Sequence, residues 1–590
     1  MPRVCVALAA IEPEDLFDKA EVQARENTFL EFRLDFLKNP LSAIPGLKRF
    51  FEYRPDVIAI ATCRRASHGG KFRGSLAAEA EVLSKAAAAG CQIIDLELES
   101  AEVMRPNELH RLRSSTILMI SYHNSHSVDP ENIFRRMAPF APEFYKVVTT
   151  ATSLHDNVRM LNFLQKHRDD HSLVGICMGE QGVMSRVLGV RAGAAFTYGS
   201  VGPGEHTGEG QPTARELQEV YRIDQLDATT RIYGVVANPV RHSLSPLLMN
   251  AAMRRENVNG VYLPLLVKNL QDLLACVREI PIHGLSVTMP YKEQITASLS
   301  KSDQLTAATG SCNTVVRSQE GQLVGFNTDI AGILSPLETQ IMLSGAKVLV
   351  IGAGGAARAA AYGLKQKNAD VYILNRTWAN GQKLVRQFGV NAVKRSDIPK
   401  MKFALAINAT PLGMGSSQET PLNERELRSV ERVFDLVYNP AETRLIQMAR
   451  AQGIPVTGGV EMFVYQAARQ FEIWTGKPAP LELMRNVVLR QLGARAPAAA
   501  AVPVPQAEAA SKPATVTPAI TAAASRQGGN GRGVHPNQRD GGSRRAPATK
   551  SAAKPNRSVK RQLPTPRKSG AKAGKSAGSK GKKSATAGKK

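Results

Sequence analysis

The chain has 590 residues, enough for two large domains and a further segment, and its 43% hydrophobic content is that of ordinary soluble globular protein. It contains no apolar run of about eighteen residues, the length a membrane-spanning helix needs, and its opening MPRVCVALAAIEPED lacks the apolar stretch and small-residue cleavage site of a secretory signal. The net charge of +25 is uneven: from Arg495 to Lys590 there are 21 Lys or Arg against two acids, Glu508 and Asp540, so +19 lies there and +6 in the rest.

The first segment, residues 1–225, carries eight short apolar runs: VCVALAA from Val4, TFLEFRLDF from Thr28, VIAIATC from Val57, QIIDLEL from Gln92, TILMISYH from Thr116, FYKVVTT from Phe144, LVGICMG from Leu173 and AAFTYGS from Ala194. Helical patterns separate them, such as LAAEAEVLSKAAAAG, which Gly90 ends. Continuous rather than alternating apolar strands fit parallel pairing, and eight strand–helix units predict an α/β fold of the (β/α)8-barrel type.

Chemistry in such barrels sits at the C-terminal ends of the strands, so polar residues there are informative. Strand two offers Glu31, Arg33 and Asp35 at alternating positions, predicted to share a face. Strand three ends in Arg64, strand five in His123, and strand six carries Lys146; Arg186 follows strand seven, and Gln211 lies in a Gly-rich loop after strand eight. A lysine inside an apolar strand is costly unless neutralised or used, and desolvation favours a neutral amine able to attack a ketone.

Together, Glu31-x-Arg33-x-Asp35, Thr62-x-Arg64, Ser121-Tyr122-His123, Lys146, Ser185-Arg186 and Gln211-Pro212-Thr213 resemble the type I dehydroquinate dehydratases across this segment. The resemblance implies a Schiff base between Lys146 and the substrate ketone, with His123 removing the adjacent proton and returning one to the departing water, and Arg186 pairing with the substrate carboxylate. Glu31, Arg33, Arg64 and Gln211 would hold hydroxyls, and Thr207 would supply one of its own. The family usually has Glu where this chain has His68, before Gly69-Gly70, and Ser-Ala-Pro-Gly-Gln where it reads Thr207-Gly208-Glu209-Gly210-Gln211. Because that Glu orients the catalytic histidine in the family, reduced rather than absent dehydratase activity is expected.

The second segment, residues 230–492, follows a short junction near Asp224–Arg231 that implies a restricted geometry rather than a flexible tether. KVLVIGAGGAARAAAYGL from Lys347 reads as strand, glycine turn and helix, with Gly352, Ala353, Gly354, Gly355 and Ala356 placed to approach a pyrophosphate at the helix N-terminus. About twenty residues on, strand DVYIL ends in Asn375-Arg376-Thr377. An arginine there suits the 2′-phosphate of NADP, where NAD enzymes place an acid. VEMFVYQAARQFEIWTG is a closing helix.

In order, Asn238-Pro239-Val240-Arg241-His242-Ser243-Leu244-Ser245-Pro246, Ser286-Val287-Thr288-Met289-Pro290-Tyr291-Lys292, Gly310-Ser311-Cys312-Asn313-Thr314 and Gly325-Phe326-Asn327-Thr328-Asp329 resemble shikimate dehydrogenase. The resemblance implies a substrate lobe at about 230–332 plus 462–492 and an NADP-binding Rossmann lobe at about 333–461. Ser243 and Ser245 would bind the substrate carboxylate, Thr288, Asn313, Asp329 and Gln466 the ring hydroxyls, and Lys292 with Asp329 would form the catalytic pair. Asn408-Ala409-Thr410-Pro411-Leu412-Gly413 and Tyr438-Asn439-Pro440 match cofactor- and substrate-side loops, with Tyr438 on the substrate and Gly459 on the cofactor.

Residues 493–590 are rich in Ala, Pro, Ser, Gly and Lys without apolar periodicity, so a disordered basic tail is predicted. It could bind nucleic acid or another polyanion non-specifically, although it lacks aromatics for stacking, and a solvated tail without a partner is the plainer reading. Six scattered cysteines without a Cys-x-x-Cys pair fit a reduced compartment, the cytoplasm by default, and argue against a structural metal site. The composite expectation is a two-step enzyme acting on 3-dehydroquinate, 3-dehydroshikimate and shikimate with NADP(H), no metal and no membrane partner. The alternative is a shikimate dehydrogenase with a weakened dehydratase-like binding domain and a polyanion-binding tail.

Overall fold

Apolar runs four to seven residues long, bounded by turns, become the strands of a barrel in the computed structural model, which describes residues 1–493. They are β1 (Val4–Leu8), β2 (Phe29–Arg33), β3 (Ile58–Thr62), β4 (Ile93–Glu97), β5 (Ile117–His123), β6 (Phe144–Thr150), β7 (Leu173–Met178) and β8 (Thr197–Ser200). They form one sheet in the order β7-β6-β5-β4-β3-β2-β1-β8, and the laddered pairs are parallel. Ala195 N–H donates to the Leu173 carbonyl (2.8 Å) and joins the approach to β8 with β7. The predicted helix after β3 runs Leu76–Ala88, capped by the Ser75 side chain and followed by Gly90 at φ +119°.

The period-two alternation of the strands divides the barrel interior along its axis. Phe29, Ile60, Ile93, Met119, Val174 and Phe196 pack together in one buried cluster, with the rings of Phe29 and Phe196 edge to face at 4.9 Å. Two residues further along the same strands stand Glu31, Thr62, Asp95, Ser121 and Tyr198, and Lys146 stands two past Phe144. The N-terminal end is thus a hydrophobic plug and the C-terminal end a polar floor.

The second segment supplies two sheets. The first contains β9 (Arg231–Ala237), β10 (Gly260–Leu266), β11 (Ile282–Val287), β12 (Lys301–Ser302), β13 (Thr314–Arg317) and β14 (Leu323–Phe326), ordered β10-β9-β11-β13-β14-β12. Here β13 runs antiparallel to β11 and β14, a mixed topology that simple strand–helix alternation does not reveal. The other contains β15 (Lys347–Ile351), β16 (Asp370–Leu374), β17 (Asn391–Ala392), β18 (Leu405–Asn408), β19 (Val433–Asp435) and β20 (Val456–Thr457), all parallel in the order β17-β16-β15-β18-β19-β20. That is the doubly wound order of a dinucleotide-binding sheet, with its switch point beside β15. The helices Asp329–Glu338 and Gly459–Thr475 connect the two sheets and touch at Gly332, where a β-carbon would lie 2.7 Å from the Met462 carbonyl.

The junction between barrel and second segment is bonded rather than loose. Arg191 donates to the Ala228 and Thr230 carbonyls (2.9 and 3.2 Å). Asp272 accepts from the backbone N–H groups of Leu154 and His155 (2.7 and 3.2 Å), capping a barrel helix with a carboxylate from the second segment. Among the described residues no helix is long and apolar enough to cross a membrane. The basic tail and its expected disorder lie outside the described residues.

Candidate active sites

At the polar end of the barrel a cavity of about 480 Å3 is lined by Glu31, Arg33, Arg64, His68, His123, Lys146, Arg186, Thr207 and Gln211, among others. The eight barrel residues given catalytic or binding roles from sequence therefore share one chamber. Lys146 is 4% exposed; its Nζ donates to Asp95 Oδ2 (2.8 Å) and Glu31 Oε1 (3.4 Å) and lies 4.1 Å from the Tyr198 ring centroid. Its surroundings differ from the apolar ones its strand suggests, because the inward face is polar at this depth. Asp95 is the residue that sequence reasoning missed: an acid inside the apolar run QIIDLEL carries the same signal as the lysine inside FYKVVTT.

Asp95 also receives Arg64 Nη2 (2.9 Å) and the Ser121 hydroxyl. Burial alone would raise its carboxyl, but the Lys146 ammonium and the Arg64 guanidinium outweigh it and hold Asp95 well below the usual carboxylate range. Arg64 Nη1 sits 2.6 Å from His123 Nδ1. Guanidinium only donates, so this ring nitrogen accepts. Burial first, then the charges of Arg64, Lys146 and Arg33, push the His123 imidazole well below its ordinary range and keep it neutral.

The two other arginines differ. Arg33 is matched by Asp35, two contacts at 2.9 Å, and Asp35 stands in a 3-10 turn, Leu34–Phe36, past the end of β2 instead of on the strand. Arg186 is 3% exposed, has no carboxylate partner among the described residues, and leaves Nε without an acceptor; its hydrogen bond goes to the Glu209 carbonyl (3.2 Å). Burial lowers its guanidinium to about 10. A buried cation without a counter-ion beside a cavity is a seat for an anion. Gln211 Oε1 accepts from the Thr207 N–H and hydroxyl (2.9 and 3.1 Å), which ties the loop after β8 over the same chamber.

In the second segment, Lys292 Nζ pairs with Asp329 Oδ2 (2.5 Å). Asn313 Nδ2 donates to Asp329 Oδ1 (2.8 Å) and lies 3.5 Å from Gln466 Oε1, so four of the expected residues form one cluster. The register explains it. Val287 N–H bonds the Asn313 carbonyl (2.7 Å) and Asn238 N–H the Met289 carbonyl (3.4 Å), which brings the ends of β9 and β11 and the start of β13 together. Thr288 sits at that junction, half-buried. Ser245 starts the helix Ser245–Arg255, its N–H donating to the Ser243 hydroxyl (3.3 Å). Tyr438 stacks on Phe463 at 4.6 Å. Among the described residues no hydrogen bond links Ser243, Ser245, Thr288 or Tyr438 to the lysine cluster.

The glycine turn follows β15 at the switch point. Gly352 has φ +120°, and a β-carbon there would lie 2.8 Å from the Ala409 carbonyl. At Gly354, which precedes the helix Gly355–Gln366, a β-carbon would meet nothing within 4 Å, and no side chain caps that helix start. A β-carbon at Gly355 would lie 3.7 Å from Lys292 Cδ, so the turn adjoins the ion pair; Ala353 and Ala356 flank it. Arg376 is exposed after β16, in a turn where the Asn375 side chain bonds the Thr377 carbonyl (2.8 Å). Open amide groups, a cleared floor and a guanidinium without a carboxylate partner among the described residues fit a phosphorylated dinucleotide. Gly459 is buried, and its missing side chain is explained by the Val437 carbonyl, which a β-carbon there would strike.

The sequence matches the family Type I 3-dehydroquinase over residues 4–228. It also matches the shikimate dehydrogenase substrate binding domain over 235–315, shikimate / quinate 5-dehydrogenase over 337–433 and the shikimate 5'-dehydrogenase C-terminal domain over 459–489. The chloroplastic bifunctional 3-dehydroquinate dehydratase/shikimate dehydrogenase of Arabidopsis thaliana is 35% identical over 489 residues, 78% of this chain and 79% of the relative. The NADP(+) shikimate dehydrogenase of Pyrococcus furiosus is 39% identical over 273 residues, 46% of this chain and 99% of the relative. The solved shikimate 5-dehydrogenase of Thermus thermophilus, in complex with NADP(H) and shikimate, is 33% identical and covers 44% of this chain and 99% of its own, with a TM-score of 0.41. The chain belongs to the bifunctional 3-dehydroquinate dehydratase/shikimate dehydrogenase family.

Proposed function

We propose that the barrel cavity dehydrates 3-dehydroquinate through a Schiff base on Lys146, and that the second site reduces the resulting 3-dehydroshikimate to shikimate with NADPH. For the barrel, the supporting observation is a buried lysine between two carboxylates in a chamber that also holds an unpaired arginine. The Lys146 ammonium gives up a proton to cavity water, the amine condenses with the ketone with loss of one water, and the carboxylates of Asp95 and Glu31 stabilise the cationic iminium, which draws electrons from the neighbouring carbon. His123, neutral, accepts the proton from that carbon. Its lone pair lies at Nδ1, where Arg64 sits, so Arg64 must turn toward the substrate hydroxyls when the ring acts. Glu31, Arg33, Thr207 and Gln211 hold the remaining hydroxyls.

Arg186 takes the substrate carboxylate. Losing that charge-assisted pair costs about 3 kcal/mol, so Arg186→Ala raises the dehydratase KM on the order of 100-fold with a smaller change in kcat. An unchanged KM in steady-state assays would remove Arg186 from the carboxylate site.

For the second site the supporting observation is the Lys292–Asp329 pair beside the glycine turn. NADPH, when bound, supplies the hydride. The Lys292 ammonium, positioned by Asp329, gives a proton to the carbonyl oxygen, while Asn313, Thr288 and Gln466 hold the ring hydroxyls and Ser243, Ser245 and Tyr438 the carboxylate end. Gly352, Ala353, Gly354, Gly355 and Ala356 cradle the pyrophosphate, Asn375, Arg376 and Thr377 the 2′-phosphate, and Gly459 borders the nicotinamide side. Arg376→Ala is expected to raise the KM for NADPH on the order of tenfold or more and leave that for NADH nearly unchanged; equal effects on both would disprove the 2′-phosphate role. All six cysteines are unpaired and buried, in keeping with a reducing compartment such as the cytoplasm.

A further inference from the structure

A second cavity lies at the junction of the two halves and shares no lining residue with the barrel chamber. It measures about 250 Å3 and is lined by Arg222, Asp227, Arg254, Asn257 and Asn259, among others. On one side is the segment that leaves the barrel, which passes through a π-helical turn, Glu216–Val220, and reaches Arg222. On the other is the end of the helix Ser245–Arg255, whose first residue is one of the two serines assigned to the substrate carboxylate.

Two turns hold the walls. Arg222 has φ +52° and Asn257 φ +51°, the left-handed region, which a residue with a β-carbon enters only where its surroundings fix it. The Arg222 carbonyl accepts from the Gln225 N–H (2.9 Å). At Asn257 the helix closes on itself: Val258 N–H bonds the Met253 carbonyl (2.9 Å) and Asn257 N–H the Arg254 carbonyl (3.3 Å). Lys477 Nζ donates to the Glu256 carbonyl (2.5 Å) and lies 3.5 Å from that of Asn257. The carbonyls that make a helix C-terminus repel anions are thus folded back or covered by an ammonium.

Among the described residues neither Arg222, half-buried, nor Arg254, exposed, has an ion-pair or side-chain hydrogen-bond partner. Burial first, then the charge of Arg254, lowers the Arg222 guanidinium, with no acid opposing them. The one carboxylate of the lining, Asp227, is engaged elsewhere: it accepts from the Thr229 N–H and hydroxyl (both 2.7 Å) and from the Asn259 side chain (3.3 Å). Two cations facing one cavity repel each other unless an anion stands between them, and guanidinium groups offer the paired donors that suit an oxyanion. We propose that the junction cavity is a phosphate site, its anion held between Arg222 and Arg254. The volume lies below about 300 Å3, the lower end for organic ligands, and so suits inorganic phosphate better than a nucleotide. The bound ion joins the segment that follows the Gln211 loop to the helix that begins at Ser245, and braces the two halves across their junction.

The full-length chain is treated with phenylglyoxal, which modifies arginines, and mass spectrometry of the digest gives a rate at each position. Inorganic phosphate at constant ionic strength is expected to slow modification of Arg222 and Arg254 on the order of tenfold, with one half-saturating concentration for both, while chloride slows neither. Arg254→Gln is expected to reduce dehydroshikimate at the parental rate, and in it phosphate slows modification of Arg222 by about twofold or less. A rate at Arg222 that ignores phosphate in the parent chain, unequal half-saturation at the two arginines, or undiminished protection of Arg222 in the variant would each overturn the proposal.

Discussion

Lys146→Ala is expected to abolish turnover of dehydroquinate, by on the order of 10^4-fold or more, while the same chain still reduces added dehydroshikimate. The covalent route is lost because an iminium needs a primary amine and no second lysine lines the cavity among the described residues. Stability changes too. Asp95 and Glu31 keep their burial but lose a cation, and an uncompensated buried charge costs about 3–5 kcal/mol, partly offset at Asp95 by Arg64. The Asp95 carboxyl is held low in the folded chain, so its contribution is present above the unfolded carboxylate value of about 4 and is lost as pH falls. The variant should therefore melt well below the parent at pH 7, and the gap should narrow toward acid. A gap that widened toward acid, measured by thermal denaturation, would show that Asp95 is not the group Lys146 stabilises.

Lys292→Ala should act on the other half. Without a proton donor beside the carbonyl, reduction falls about 10^2- to 10^4-fold, dehydroshikimate accumulates from dehydroquinate, and the barrel turns over at its normal rate. Reduction at the parental rate would move the proton donor elsewhere.

Much of the fold and of both sites was legible in the sequence, and the reasons are local. Eight continuous apolar runs gave eight strands because both faces of a barrel strand are covered, so the period-two signal gives way to plain hydrophobicity. Lys146 and His123 stood out as polar residues in such runs. Asp95 and Glu97 occupy the same kind of position in β4 but act on other side chains of the protein, a role that depends on which strands are neighbours in the barrel. Asp35 shows the opposite limit: alternation in the sequence continues past the end of the strand, and Asp35 stands in the following turn, paired with Arg33. The antiparallel β13 and β14 were hidden because strand direction is a property of pairing. The glycine turn after β15 was readable because its amide groups and φ requirements are written in the residues themselves.

His68 illustrates how a departure in sequence acquires meaning only in three dimensions. Where the family carries a carboxylate, this chain has an imidazole, yet a carboxylate is still present one position deeper, as Glu97 at 2.9 Å. The expectation of a weaker dehydratase concerned one side chain, whereas the cavity offers a histidine and an acid together.

If one chain carries both reactions in sequence, full-length protein supplied with 3-dehydroquinate and NADPH should yield shikimate, with one NADPH oxidised for each dehydroquinate consumed. Oxidation of NADPH on added dehydroshikimate but none on dehydroquinate would contradict it, leaving the barrel a binding domain without catalysis.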